Sequence, residues 1–358
     1  MTPKFWLIVA IVWGGGGYHY DAMGNMTSLA LRSRALSFSY QGPTPKLQSV
    51  MVGTTTTPVD YDDAGNEAGH YNARNLLDQI ESGDLNGPST LYAYDGRGIR
   101  VAETVDYHGI GGMFHNRTRS FIYSPELHLL AQSDWQDTPY VDGMPFSGTE
   151  YVWFGNEPAA QAFTDPGITI RYTFTDHLGT PILQTGPNAS IVWRAEYEPY
   201  GDVYVYRAGN ADDAQALRLP GQEANGTNST SYNIFRWYRS GWGRYTQDDP
   251  IAARHESVQF YSYALDNPLS LMDPSGLFEV DPFCKGCKNP LRTKDKSNLF
   301  QHIVEETATF CQTQLGYIKN IALRDCMKKS NDVASSSPVD RRSYNYDGLR
   351  SCSRARWT

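Results

Sequence analysis

The sequence predicts a mainly β protein built from repeated hairpins, and three observations carry that prediction. The 358-residue chain is 13% aromatic, with 24 Tyr and 32 Gly, a mixture of strand-forming side chains and turn residues. A template Tyr-x-Tyr-Asp-x-x-Gly recurs, in Tyr18-His-Tyr20-Asp21-Ala-Met-Gly24, Val59-Asp-Tyr61-Asp62-Asp-Ala-Gly65 and Tyr92-Ala-Tyr94-Asp95-Gly-Arg-Gly98, with a looser copy in Tyr172-Thr-Phe174-Thr-Asp176-His-Leu-Gly179. The aligned Asp residues lie 41, 33 and 81 positions apart, which suits a unit of about 20 residues with degenerate copies between.

Each unit reads as a strand leading into a tight turn. Aromatics at i and i+2 put two rings on one strand face, the Asp hydrogen-bonds the following backbone, and the Gly supplies a positive φ. One hairpin cannot bury its aromatic face alone, so the units are expected to stack into a continuous sheet.

Before the first unit, Lys4 precedes an apolar run from Phe5 to Trp13 and four glycines, Gly14 to Gly17. Nine apolar residues are too few to span a bilayer. Residues 1–17 therefore read either as a short signal sequence or as a buried strand behind a glycine linker. No other apolar stretch reaches spanning length.

Composition changes after Leu277. Up to that residue there are 17 Lys+Arg and 30 Asp+Glu, giving −13; from Phe278 there are 14 and 9, giving +5. All five cysteines, Cys284, Cys287, Cys311, Cys326 and Cys352, also follow the junction. An odd count allows at most two internal disulfides, with the pairing open. The Cys284-Lys-Gly-Cys287 pair lacks the second close Cys or His pair of a zinc site, so neither metal nor cofactor is expected.

The Tyr-x-Tyr-Asp-x-x-Gly template resembles the YD repeat of the RHS family. The stretches RAEYEPYGDV (194–203), FRWYRSGWGRYTQDDP (235–250) and YSYALDNPLSLMDPSGL (261–277) are similar to the RHS repeat-associated core. The resemblance covers residues from about 18 to 277. It implies YD-repeat hairpins coiled as a β-strip shell over 18–193, a core region over 194–277, and an exchangeable toxin-like region over 278–358. It also implies that the core cuts its own chain after the motif Asp-Pro-x-Gly-Leu, as an aspartic protease acting in cis. Carried over, Asp249 and Asp273 are the paired carboxylates, Pro250, Pro274 and Gly276 complete their motifs, and Leu277–Phe278 is the bond cut.

That chemistry suits the residues. Two carboxylates held close do not both ionise cheaply, so one keeps its proton while the other acts as base on a water. A strand over 259–264 is expected to bring the two Asp-Pro turns together, and a Pro-Ser-Gly turn to fold Leu277 back on the dyad. Arg244 is the expected cation beside one carboxylate, with a purely structural ion pair as the alternative. The family pattern is not fully kept: Asp249-Pro250-Ile251-Ala252-Ala253-Arg254-His255 lacks the usual glycines after Asp-Pro-Ile, and Asp248 competes with Asp249.

From Leu299 the tail has helical periodicity, in Phe300, Ile303, Val304, Thr307, Ala308 and Cys311 and again in Leu315, Ile318, Ala322 and Cys326. A small, mostly α region is expected there. His302 with Glu305 and Glu306 reads as a solvated helix face or, alternatively, as a metal-dependent nuclease site. A folded 81-residue tail has an equivalent radius of roughly 15 Å, and a sheet around it needs on the order of 5,000 Å². Some 250 strand residues at about 16 Å² each cover only about 4,000 Å². The shell is thus expected to be incomplete and to need an upstream shell polypeptide. Further expected partners are an immunity protein and, as the target of a basic tail, nucleic acid; the expected location is secreted or at the cell surface. The competing reading is a non-cleaving surface protein whose aromatic repeats bind carbohydrate or a neighbouring cell.

Overall fold

The computed structural model describes residues 16–280, apart from 32–33, 68, 82–88, 107–116, 139–140, 165–167, 208–214, 226–229 and 252–259. The apolar run at 5–13, the cysteines, the helical periodicity and His302, Glu305 and Glu306 lie outside the described residues. The chain divides into two compact units, residues 1–93 with 98–290 and residues 94–97 with 291–358. Of the second, the described part is the turn Tyr94–Arg97, in which Arg97 Nε pairs with Asp95 Oδ2 at 2.8 Å.

Among the described residues the regular structure of the first unit is β, apart from two short 3-10 segments. Five antiparallel strands, from Gly16–Tyr20 to Thr55–Pro58, form one sheet; twelve, from His70–Tyr71 to Val203–Arg207, form a second; and Glu223–Ala224, Ser231–Asn233, Arg236–Arg239 and Arg244–Tyr245 form a third. Within each sheet every strand pairs with its neighbours in sequence, the pattern that short hairpin connections produce. The first and last strands of the long sheet do not pair with each other, so the strip is open.

The repeat turn recurs with one geometry. Asp21 Oδ1 accepts from the backbone N–H of Met23 and Asn25 at 2.8 and 2.9 Å, while Gly24 sits at φ 86°. Asp176 Oδ1 accepts in the same way from Leu178 and Thr180, at 2.9 Å each, with Gly179 at φ 95°. Degenerate copies fill the intervals: Asn72 replaces the Asp and Asn75 the Gly, and Ser124 and Leu127 do so further on. Asn takes up positive φ more readily than most residues, and a Ser hydroxyl mimics the Asp oxygen.

Three local expectations differ from what is found. Gly16 and Gly17 are not a linker but open the first strand, where a Cβ on Gly16 would lie 2.4 Å from the Ala30 carbonyl oxygen. In the fourth copy the alternation is reversed: Arg171 and Thr173 are buried, whereas Tyr172 and Phe174 face outward and are half exposed. Buried Gln184 and Gln161 bond across this inner face, so polar side chains occupy the space that rings fill in the first copy. The strand over 259–264 is reduced to one bridge, Arg244 with Ser262. Ala264–Asp266 turns into a 3-10 segment, with Ala264, Leu265 and Asp266 all at positive φ.

Residues after 194 seal both repeat sheets from within the same unit. The strand Ile191–Tyr197 runs through residue 194, and Val203–Arg207 continues the long sheet. Tyr200 joins the buried cluster of Tyr18, Leu29, Leu47 and Val50; Leu217 joins Phe121, Leu129 and Tyr151. Arg100, 1% exposed, ties the long sheet to the small one. Its guanidinium lies 4.0 Å from the Phe121 ring centre and 4.5 Å from that of Tyr232, and pairs with Glu223 at 2.8 Å. Aromatic faces and a carboxylate together offset the cost of burying that cation.

Candidate active site

The second Asp-Pro turn is the repeat turn with its donors rearranged. Gly276 takes the glycine place at φ 74°, and Asp273 Oδ1 accepts from the Leu277 N–H at 3.0 Å, as repeat Asp residues accept from the fourth residue on. Pro274 lies under Gly221: a Cβ at Gly221 would fall 1.9 Å from the Pro274 carbonyl oxygen. Beyond the turn, Met272 and Val280 exchange two backbone hydrogen bonds, of 3.1 and 2.7 Å.

Two differences separate this turn from the repeats. Asp273 Oδ1 also accepts from the Phe278 N–H at 3.0 Å, so one carboxylate oxygen touches the nitrogen of the Leu277–Phe278 bond. Asp273 is also fully buried, at 0% exposure. Its other oxygen, Oδ2, accepts from the Tyr245 hydroxyl at 2.8 Å and lies 3.3 Å from Arg236 Nη2.

Arg236 is the residue that joins the two motifs. The same Nη2 lies 3.4 Å from Asp249 Oδ2, so the two carboxylate oxygens are no further apart than those two contacts allow. Nε donates to the Gly276 carbonyl, Nη1 to that of Phe260 at 3.2 Å, and the guanidinium stacks 3.6 Å from the centre of the Tyr245 ring. Three hydrogen-bond directions and one face are thus used in a side chain only 2% exposed.

Asp249 is placed by its own turn, in which Oδ1 accepts from the Ile251 N–H at 2.8 Å. Its backbone N–H donates to the Phe260 carbonyl at 3.1 Å. Asp248 makes no ion pair with Arg236; a Cβ on Gly65 would sit 3.3 Å from its Cβ. Pro250 is exposed, while Leu277 and Phe278 are half-buried.

Arg244 is elsewhere. Its Nη2 donates to the Pro45 carbonyl at 2.8 Å, and its guanidinium lies 4.7 Å from the Tyr261 ring centre; among the described residues it pairs with neither Asp249 nor Asp273. The cation at the two carboxylates is Arg236. The sequence signal for it was faint, an Arg flanked by aromatics on both sides in Phe235-Arg236-Trp237. Glu279 was also overlooked: half-buried, its carboxyl is pushed up by burial and faces the charges of Asp273, Arg236 and Asp249.

Burial pushes the Asp273 carboxyl above the ordinary carboxylate range, against the opposing pull of Arg236, the Tyr245 hydroxyl and the amides of Phe278 and Leu277. The native state therefore keeps this proton to higher pH than the unfolded chain. Above the ordinary Asp value the native chain binds more protons, so stability falls as pH rises, until the raised value is passed. In an Asp249→Asn background, adding Asp273→Asn is expected to flatten this fall. Urea midpoints of the two proteins from pH 4 upward measure it, and parallel pH profiles would assign the slope to another group.

Among the described residues no group of three His, Cys, Asp or Glu side chains is arranged to hold a metal ion, and no helix is long and apolar enough to cross a membrane. A family model described as RHS protein matches residues 170–207. Double-stranded DNA deaminase toxin A of Burkholderia cenocepacia is 28% identical over 58% of this chain, which spans 15% of that toxin. Toxin subunit YenC1 of Yersinia entomophaga is 25% identical over 73% of the chain, which spans 28% of that subunit. The crystal structure of TcdB2-TccC3-TEV shares the fold at a TM-score of 0.60 and 20% identity, over 73% of this chain and 13% of that one. The repeat turns, the open antiparallel strip and these likenesses together support an RHS-type protein, with the family model itself matching residues 170–207.

Proposed function

We propose that this chain is a toxin-related RHS module that cuts its own Leu277–Phe278 bond with Asp249 and Asp273, separating residues 278–358 as a variable effector. The observation that carries the reading is the Asp273 carboxylate, with one oxygen 3.0 Å from the Phe278 nitrogen and the other sharing Arg236 with Asp249. Asp249 takes a proton from a water that adds to the Leu277 carbonyl carbon. Asp273, whose hold on its proton burial strengthens, gives that proton to the Phe278 nitrogen as the C–N bond breaks. One water is consumed, and a Leu277 carboxyl and a Phe278 amine are formed. Arg236 remains cationic throughout and offsets the charge that moves from one acid to the other. Because the bond lies five residues from Asp273, the reaction needs no encounter step.

Intact mass of the full-length chain beside Asp273→Asn and Asp249→Asn tests this. Fragments meeting at Leu277–Phe278 are expected from the parent, with at least about a thousandfold slower appearance in either variant, since each acid is needed for a proton transfer. A parent of single, uncut mass under conditions where it is folded sinks the reading. Delivery outside the producing cell, an upstream shell chain, an immunity partner and a nucleic-acid target for the tail belong to the same proposal.

The non-cleaving, carbohydrate-binding reading has one observation in its favour. Tyr172, Phe174, Tyr204 and Tyr206 stand 48–62% exposed on strands of the long sheet, and exposed rings stack on sugars. A glycan-array signal retained by the uncut Asp273→Asn protein and lost on replacing these rings would support it.

A further inference from the structure

We propose that Tyr245 is a positioning residue for the cut: its hydroxyl, oriented by Asn233, anchors Asp273 Oδ2 and so turns Oδ1 toward the Phe278 nitrogen. The inference rests on the self-cleavage reading and adds to it the residues that set which oxygen of Asp273 acts.

Asn233 Nδ2 donates to the Asp273 main-chain carbonyl at 3.0 Å, a group that can only accept, and this fixes the orientation of the amide. The same Nδ2 donates to Tyr245 Oη at 2.8 Å. With that side of the phenol oxygen occupied by a donor, its own hydrogen is directed at Asp273 Oδ2, 2.8 Å away. Oδ2 is thereby anchored by two side-chain donors, Tyr245 and Arg236. Oδ1, which accepts from the Leu277 and Phe278 N–H groups at 3.0 Å each, is thereby the oxygen turned to the Leu277–Phe278 bond. The relay is rigid: Asn233 and Tyr245 are both 0% exposed, and the phenol ring is packed by Arg236, by Tyr238 at 5.4 Å and by Tyr263 at 6.1 Å. The other ionisable groups that bear on Asp273 are Arg236, Tyr263, Asp249 and Glu279, and Tyr245→Phe leaves all of them in place.

The sign of the effect follows from the direction of the bond. A hydroxyl donating to Oδ2 favours the ionised carboxylate, so removing it lets Asp273 hold its proton to higher pH. The test compares Tyr245→Phe with the parent and with Tyr238→Phe, which loses a buried hydroxyl bond to the Tyr200 carbonyl at 2.8 Å but nothing at Asp273. Each chain is kept denatured, refolded by dilution at stepped pH, and followed on denaturing gels. For Tyr245→Phe the maximal rate is expected to fall about tenfold, and the alkaline limb of the profile to move up by about one pH unit. Tyr238→Phe is expected to keep the parent's limb. A limb for Tyr245→Phe that coincides with the parent's overturns the relay, whatever its maximal rate. If Tyr245→Phe does not refold, the limb is read in Asn233→Ala, where freeing the hydroxyl predicts a smaller shift in the same direction and an unchanged limb is decisive against it. Titration of the Asp273 carboxyl carbon by NMR, in the uncut Asp249→Asn background with and without Tyr245→Phe, reads the same shift without any cut. There an unmoved titration defeats the relay alone, while an uncut parent defeats the self-cleavage reading.

Discussion

Arg236→Met is expected to abolish the proposed cut at Leu277–Phe278 and to lower stability by about 3–5 kcal/mol, the usual cost of removing one partner from a buried ionic cluster. Methionine fills much of the volume, so the loss is electrostatic rather than a cavity. Asp273 and Asp249 are left facing each other with no cation, and the carbonyls of Gly276 and Phe260 each lose a donor. The pairing can be isolated in a double-mutant cycle. In the Asp249→Asn background the acid left beside the lost cation is Asp273, whose hold on its proton burial strengthens, so Arg236→Met should cost less there than in Asp273→Gln, where Asp249, the base of the proposed cut, remains. Urea unfolding followed by Trp fluorescence gives both values. Equal costs would mean that Arg236 acts through its carbonyl bonds and not through the acids.

Gly221→Ala is expected to be as damaging from a position that carries no chemistry. The residue sits at φ 82°, and the added Cβ would meet the Pro274 carbonyl oxygen at 1.9 Å and its carbonyl carbon at 2.5 Å. Both are backbone atoms that cannot rotate away. The chain must shift at the residue next to Asp273, so folding stability and cutting should fall together, stability by at least about 3 kcal/mol. Gly155→Ala supplies the comparison: φ is 63°, and nothing lies within 4 Å of the added carbon. It bears the conformational penalty alone, about 1–2 kcal/mol. Thermal midpoints of the two variants separate backbone strain from collision, and similar losses would remove the special place given to the Gly221–Pro274 contact.

Much of this architecture is legible in the sequence because it is local. An Asp followed three residues later by Gly specifies a turn whose hydrogen bonds stay within five residues, and Asp21, Asp62 and Asp176 form it as their spacing predicts. Asp273 is readable for the same reason, as a repeat turn that happens to end at Leu277. What is hidden is contact at long range. Arg244 lies five residues before Asp249, within the same motif, and is therefore the natural choice, yet Arg236, 13 residues from Asp249 and 37 from Asp273, lies between them. Its strand gives no help, since Arg236, Trp237 and Tyr238 are all buried and the usual alternation is absent. Pro220-Gly221 announces a turn, but nothing local announces that Pro274 will pack on it. The outward Tyr172 and Phe174 mislead for the opposite reason. Two rings on one strand face say that a face is aromatic, not which side of the sheet it occupies.

The mutual pairing of Met272 and Val280 has a consequence for how a cut chain behaves. The two residues flank Leu277–Phe278, one on each side, and hold each other by two backbone hydrogen bonds. A break between them is a nick in a closed hairpin, and both new ends stay stitched to the same rung. If the chain cuts there, the pieces are expected to migrate together on a native column and to part when a denaturant opens that rung.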